Sequence, residues 1–116
     1  MKEYQLQIKL VAYLKSKKLS KMRFFHVPNQ GIRSKRQKLL LSNMGLKAGC
    51  PDIILEFRKG KIVYIELKTG SGTLSSGQKL WYLQSQILET PHYILKGDFN
   101  GLKKQLDKIL AKHYKR

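Results

Sequence analysis

The sequence predicts an α/β fold, a mixed β-sheet with a central hairpin flanked by helices, and three observations predict it. Apolar residues recur at helical spacing in four segments, with four shorter strand-like segments between them, in the order helix, strand, helix, strand, strand, helix, strand, helix. Two adjacent strands, residues 53–57 and 62–67, are filled by β-branched, aromatic and leucine residues around Arg58-Lys59-Gly60. The third observation is how these strands sort by face. A two-residue loop would pair Arg58 with Lys61 and set Asp52 and Glu66 on opposite faces. A three-residue loop closed by Gly60 in the left-handed conformation makes Phe57 face Lys61 and Asp52 face Glu66. We adopt the second register, because it gathers Ile53, Leu55, Phe57, Val63, Ile65 and Leu67 into one wholly apolar face that helices must cover. The other face carries Asp52, Glu66 and Lys68 at one end, Ile54, Ile62 and Tyr64 behind them, and Glu56 nearer the turn.

Each element has its own signal. Residues 2–17 carry Leu6, Leu10, Tyr13 and Leu14 at helical spacing, with Glu3 and Gln7 continuing that stripe as a carboxylate and an amide. Glu3 also suits the positive end of the helix dipole, a purely structural role. Arg23 to Val27 forms a strand ended by Pro28-Asn29 and a turn at Gly31. Ser34 is the N-cap of a second helix reaching about Met44, apolar at Leu39, Leu40, Leu41 and Met44 and basic at Lys35, Arg36 and Lys38. Thr69 to Thr73 is a glycine-rich loop. Ser75 begins the next helix, with Gln78 completing a capping box, and Leu80, Trp81, Leu83 and Ile87 are expected to face inward until Pro91 ends the segment. His92 to Leu95 is a short strand. A last helix, about Phe99 to Tyr114, carries Leu102, Leu106, Ile109 and Leu110 on one side and lysines on the other.

Composition bounds the function. The 116 residues are expected to form one domain, 1–116, with 41% hydrophobic content sufficient for a single core. Against 24 Lys and Arg stand 7 Asp and Glu, a net charge of +17. Charge of that size, spread over the whole chain, points to a nucleic-acid partner, and no long apolar segment points to a membrane. One cysteine, Cys50, excludes an intrachain disulfide or cysteine-zinc framework, and the setting expected is intracellular, in the cytoplasm. Two carboxylates beside a lysine suit a hard divalent cation and an anionic substrate, although the same residues also fit a solvated strand with ordinary surface charge.

The motifs resemble a known family. Pro51-Asp52, thirteen residues, then Glu66-Leu67-Lys68 is similar to the PD-(D/E)xK nuclease signature. The surrounding pattern is more specific: Glu3 and Gln7 in the first helix, Pro28-Asn29, Gly45-Leu46-Lys47-Ala48-Gly49-Cys50-Pro51-Asp52, and Leu74-Ser75 followed by Gln78. Together these resemble the VRR-NUC family, the virus-type replication and repair nucleases, over nearly the whole chain. Cys50 stands where that family often has a small apolar residue. The resemblance implies a restriction-endonuclease-like core and phosphodiester hydrolysis dependent on Mg²⁺ or Mn²⁺. It implies metal ligation by Asp52, Glu66, the backbone carbonyl of Leu67 and, directly or through water, Glu3. Lys68 is implied as the group that orients the attacking water or stabilises developing charge, with Gln78 and Gln7 as supporting or water-positioning groups. It also implies a homodimer acting on branched DNA such as a four-way junction, with the exposed apolar residues of the second or last helix as candidate interfaces. Asn29, Arg33, Lys35, Arg36, Lys38 and Lys47 are candidate DNA contacts, the basic run of the second helix being equally a solvated face. Two other readings remain open, a non-catalytic basic nucleic-acid-binding protein and a nuclease directed to flaps or RNA. Two acids placed where a polyanion must approach would weaken simple binding unless a cation sits between, which favours the enzyme.

Overall fold

The computed structural model describes residues 1–27, 34–45 and 47–115. The elements are α1 (Glu3–Ser16), β1 (Met22–Phe25), α2 (Lys35–Asn43), β2 (Ile53–Phe57), β3 (Lys61–Lys68), α3 (Ser76–Ile87), β4 (His92–Lys96) and α4 (Phe99–His113). The strands form a mixed sheet in the order β1-β2-β3-β4, antiparallel except for the parallel β3–β4 pair, which α3 connects. This is an α/β fold compatible with a restriction-endonuclease-like core. The turn between Pro28 and Gly31 expected from the sequence lies outside the described residues.

The hairpin takes the three-residue register, with Phe57 opposite Lys61 and Ile53 opposite Ile65. Its turn differs in one detail. Lys59 as well as Gly60 has positive φ, 64° and 70°, so the left-handed step is shared with a non-glycine residue at an exposed tip. All six residues of the expected apolar face are buried, in a core completed by Leu6, Leu10 and Leu14 of α1, Leu95 of β4, and Leu102, Leu106, Ile109 and Leu110 of α4. The two helices are also pinned to each other, since the Tyr13 hydroxyl donates to Asp107 at 2.8 Å and Lys17 pairs with the same carboxylate at 3.0 Å.

α3 packs on the opposite face, and here the sequence expectation is corrected. Leu80, Leu83 and Ile87 point to solvent, Ile87 being 80% exposed. Trp81 faces inward as expected, but its companions are Gln78 and Ser85, because the sheet face α3 meets presents Glu66, Tyr64 and His92 rather than aliphatic side chains. α2 buries no residue, and Leu39, Leu40 and Met44 are exposed. Among the described residues no helix is long and apolar enough to cross a membrane.

Candidate active site

The hairpin register, continued one residue beyond Ile53 and Ile65, sets Asp52 beside Glu66 at the open end of the sheet. Lys68 follows on the same face, two residues along β3. All three are buried, Glu66 at 2% and Lys68 at 8% exposure. The Asp52 carboxylate accepts the backbone N–H of Leu67 at 2.7 Å, which ties it to the strand between the other two residues. The side chain of Leu67 itself lies in the core on the far face.

Gln78 reaches this group from α3. Its amide nitrogen donates to Glu66 Oε1 at 2.8 Å, while its Oε1 accepts the Ser75 backbone N–H in the capping box. One side chain therefore both starts the helix and orients the carboxylate. Gly49 makes this approach possible. It has φ of +83°, and a Cβ there would stand 2.3 Å from the backbone of Gly77, so only glycine lets the residues leading into β2 touch the first turn of α3.

Glu3 joins from α1. Its Oε1 and the Lys68 side chain converge over Gly72, at 3.3 and 3.4 Å from where a Cβ would be, and its charge is felt at Glu66. Gln7, one turn further along α1, is half-buried without a side-chain hydrogen bond among the described residues. Three of the seven acids of the chain, Glu3, Asp52 and Glu66, thus lie near enough for the charges of Asp52 and Glu3 to act on Glu66. Three others are occupied elsewhere: Glu56 pairs with Arg23, Asp107 with Lys17, and Asp98 caps α4.

Electrostatically the site is strained. Burial raises the Glu66 carboxyl well above the ordinary carboxylate range, the neighbouring Asp52 charge pushes it further, and Lys68 pulls in the opposite direction. Glu66 Oε2 is buried without a hydrogen-bond partner among the described residues. Neither Asp52 nor Glu66 is in an ion pair there, so a divalent cation would supply both the missing partner and the missing charge. No three His, Cys, Asp or Glu side chains among the described residues converge on one point, leaving a two-carboxylate donor set. That number suits Mg²⁺, which uses one or two carboxylates and keeps several waters.

Two neighbours of the site carry no signal in the sequence. His26 and Cys50 line the same cleft of about 170 Å³ as Asp52 and Gln78. The His26 Nδ1 lies 2.6 Å from the Asp52 carbonyl oxygen. Burial, then Glu66 and Asp52, push the Cys50 thiol up. Of the candidate DNA contacts, Lys35, Arg36, Lys38 and Lys47 are exposed, and Asn29 and Arg33 lie outside the described residues.

A four-stranded mixed sheet with an Asp–Glu–Lys constellation on one face and helices on both defines an α/β domain of the restriction-endonuclease-like class. The chain matches the VRR-NUC domain over residues 1–98 and belongs to that family, which makes it a nuclease of the PD-(D/E)xK type. No curated protein and no solved structure matches it.

Proposed function

We propose that the protein is a metal-dependent DNA endonuclease selective for branched DNA such as a four-way junction, working as a homodimer from one domain. The observation that carries the catalytic part is the unpartnered, buried Oε2 of Glu66 beside Asp52 and Lys68. A buried carboxylate left without a partner destabilises the chain, and a site that binds a cation is a use for it.

In this reading Asp52, Glu66 and the Leu67 carbonyl hold Mg²⁺ or Mn²⁺, and Glu3 acts through water. When bound, the ion supplies Lewis acidity to a phosphodiester and lowers the pKa of water. The residues of the chain do the rest. Gln78 fixes the Glu66 carboxylate through Oε1 and leaves Oε2 available. The Leu67 N–H fixes Asp52 in the same way. Lys68, held among these acids, places a cation where charge develops on the phosphate. The site thus needs no histidine or cysteine nucleophile.

The homodimer rests on the outer row of α3. Leu80, Leu83 and Ile87 are exposed together, as are Leu39, Leu40 and Met44 at α2, whereas Leu102, Leu106, Ile109 and Leu110 of α4 are buried and so are withdrawn as an interface. Residues 69–95 carry one Lys and one Glu, so this is the part of a +17 chain where a second copy meets least repulsion. A two-fold pair would present two sites to the symmetry-related strands of a junction.

The test is cleavage of labelled duplex, flap and four-way-junction DNA with and without Mg²⁺ or Mn²⁺, alongside solution mass. Metal-dependent junction cutting by a dimer is expected. Cleavage unaffected by chelation would refute the metal role, and a monomer without junction preference would refute the remainder.

A further inference from the structure

Behind the Gly49–Gly77 contact, a second cleft of about 270 Å³ opens between residues 47–48, β3 and one flank of α3. Its character differs from that of the acidic site. Tyr64 and Trp81 line it edge to face, ring centroids 6.0 Å apart and planes at 80°, and Leu80 and Leu88 extend the apolar wall. It contains no acid. Polar groups remain unspent, since the Trp81 indole N–H, the Tyr64 hydroxyl and the Gln84 amide have no hydrogen-bond partner among the described residues. An apolar cleft with a few convergent polar groups is the usual make-up of a ligand site. This one is smaller than the roughly 300–1,000 Å³ of drug-sized pockets, which suits a single ring system.

We propose that this cleft receives one unpaired nucleobase of the bound strand, stacked on Trp81 with its edge toward Gln84. A nucleobase presents two apolar faces and a polar rim, the complement of these walls, and base–aromatic stacking tolerates any base. The ligand arrives attached to a polyanion, which a +17 chain attracts, and Lys47 lines the cleft. Position strengthens the assignment. Tyr64 precedes Glu66 by two residues on the same strand face, roughly 7 Å, so a base here belongs to a nucleotide at or next to the phosphate in the acidic site. Within a duplex the faces and pairing edges are hidden, and only an extruded or unpaired base can enter. The inference rests on the nuclease reading of the neighbouring site and adds a structural preference to it, for strands with a base free of its partner at the point of cutting. Leu83 and Ile87 of the outer α3 row lie roughly 160° and 120° around the axis from Trp81, so the two surfaces share only Leu80.

Trp81 is the only tryptophan in the chain, so its emission reports this cleft directly. The protein in EDTA is titrated with a duplex carrying a single bulged adenine and with the same duplex carrying an abasic residue at the bulge. The adenine bulge is expected to quench Trp81 emission and to bind about fivefold or more tightly than the abasic one. Trp81→Leu is expected to erase that preference and Trp81→Phe to retain it. Equal affinities with unchanged emission in the wild-type protein would overturn the proposal, whatever the variants do. So would an emission change that tracks protein concentration without DNA, which would put a second copy in the cleft. Junction cleavage in Mg²⁺ is scored separately. Cleavage with no base preference removes the cleft alone, and a base preference with no cleavage in any metal removes the active-site reading alone.

Discussion

At the scale of single residues, the site is a conflict that the fold maintains. Asp52 and Glu66 are buried together, and Glu66 Oε2 has no partner among the described residues. Neutralising one of them while keeping its shape should therefore relieve the metal-free fold and remove its use. Glu66→Gln and Asp52→Asn are expected to abolish metal-dependent cleavage, to keep DNA binding, and to lose the rise in melting temperature that Mg²⁺ or Mn²⁺ gives the wild type. Retained cleavage, or a full metal-induced rise in either variant, would refute their assignment as ligands. Lys68→Met is expected to lower turnover on the order of 10²-fold with little change in affinity, because one cation among 24 matters to the transition state and not to the field. A single-turnover rate set against a binding isotherm decides it. His92 gives a pH dependence of defined sign. Burial lowers it from the usual 6.5 to about 4, with Ser85, Tyr64 and Tyr82 packed around it. As pH falls below 6.5 the unfolded chain takes the proton first, so the native state loses up to about 3 kcal/mol by pH 4 and nothing above 6.5. Urea midpoints at pH 7.5 and 5 should show this loss, and His92→Gln should flatten it. These positions differ in how legible they were. The meeting of Asp52, Glu66 and Lys68 on one face followed from strand alternation once the three-residue register was chosen, whereas the spacing of Gln78 to Ser75 spoke only for a helix cap and its place near the acids was implied by the family resemblance. His26 did not, because it meets the Asp52 carbonyl across 26 residues and nothing in local pattern encodes that.

At the scale of elements, boundaries and register followed from the sequence, whereas the orientation of α3 did not. A stripe of Leu80, Leu83 and Ile87 reads as a core face, and it would be one against an aliphatic sheet. The sheet face here is Glu66, Tyr64 and His92, which take a glutamine, a tryptophan and a serine, so the aliphatic stripe is left outside. Sequence periodicity reports that a helix has two sides and is silent about the chemistry of what each side meets. The docking of α3 instead depends on a backbone contact, Gly49 against Gly77. Gly49→Ala must both adopt positive φ and push a methyl into the backbone of α3. It is expected to cost at least about 2 kcal/mol. It should also impair cleavage beyond that loss, because Gln78 is drawn away from Glu66. Gly45→Ala is the control, with positive φ and nothing within 4 Å of the added methyl. Equal stability of the two variants by urea unfolding would show that backbone strain, not the close approach, is what matters at Gly49.

At the scale of the whole molecule, the stretch that matches the family and the stretch that folds do not end at the same place. The family match stops at residue 98, one residue before α4 begins. Yet α4 supplies Leu102, Leu106, Ile109 and Leu110 to the same core as β2 and β3, and its Asp107 holds Tyr13 and Lys17 of α1. The sequence showed this helix plainly through its spacing, since its apolar face meets the aliphatic side of the sheet that the hairpin register had already identified. Burying a Leu or Ile side chain is worth roughly 1.5–3 kcal/mol, so the four together come to about 6–12 kcal/mol, comparable to the whole stability of a typical domain at about 5–15 kcal/mol. Removing α4 would also leave α1 alone to cover that face of the sheet and would strip His113 from Phe57. A chain ending at residue 98 is therefore expected to lose cooperative unfolding and metal-induced stabilisation, even though it keeps Asp52, Glu66, Lys68 and Gln78. Leu106→Ala in the full chain is the graded version, expected to cost about 2–5 kcal/mol. A sharp thermal transition in the truncated chain, with metal still raising its midpoint, would show that α1 and the sheet hold the catalytic geometry without α4.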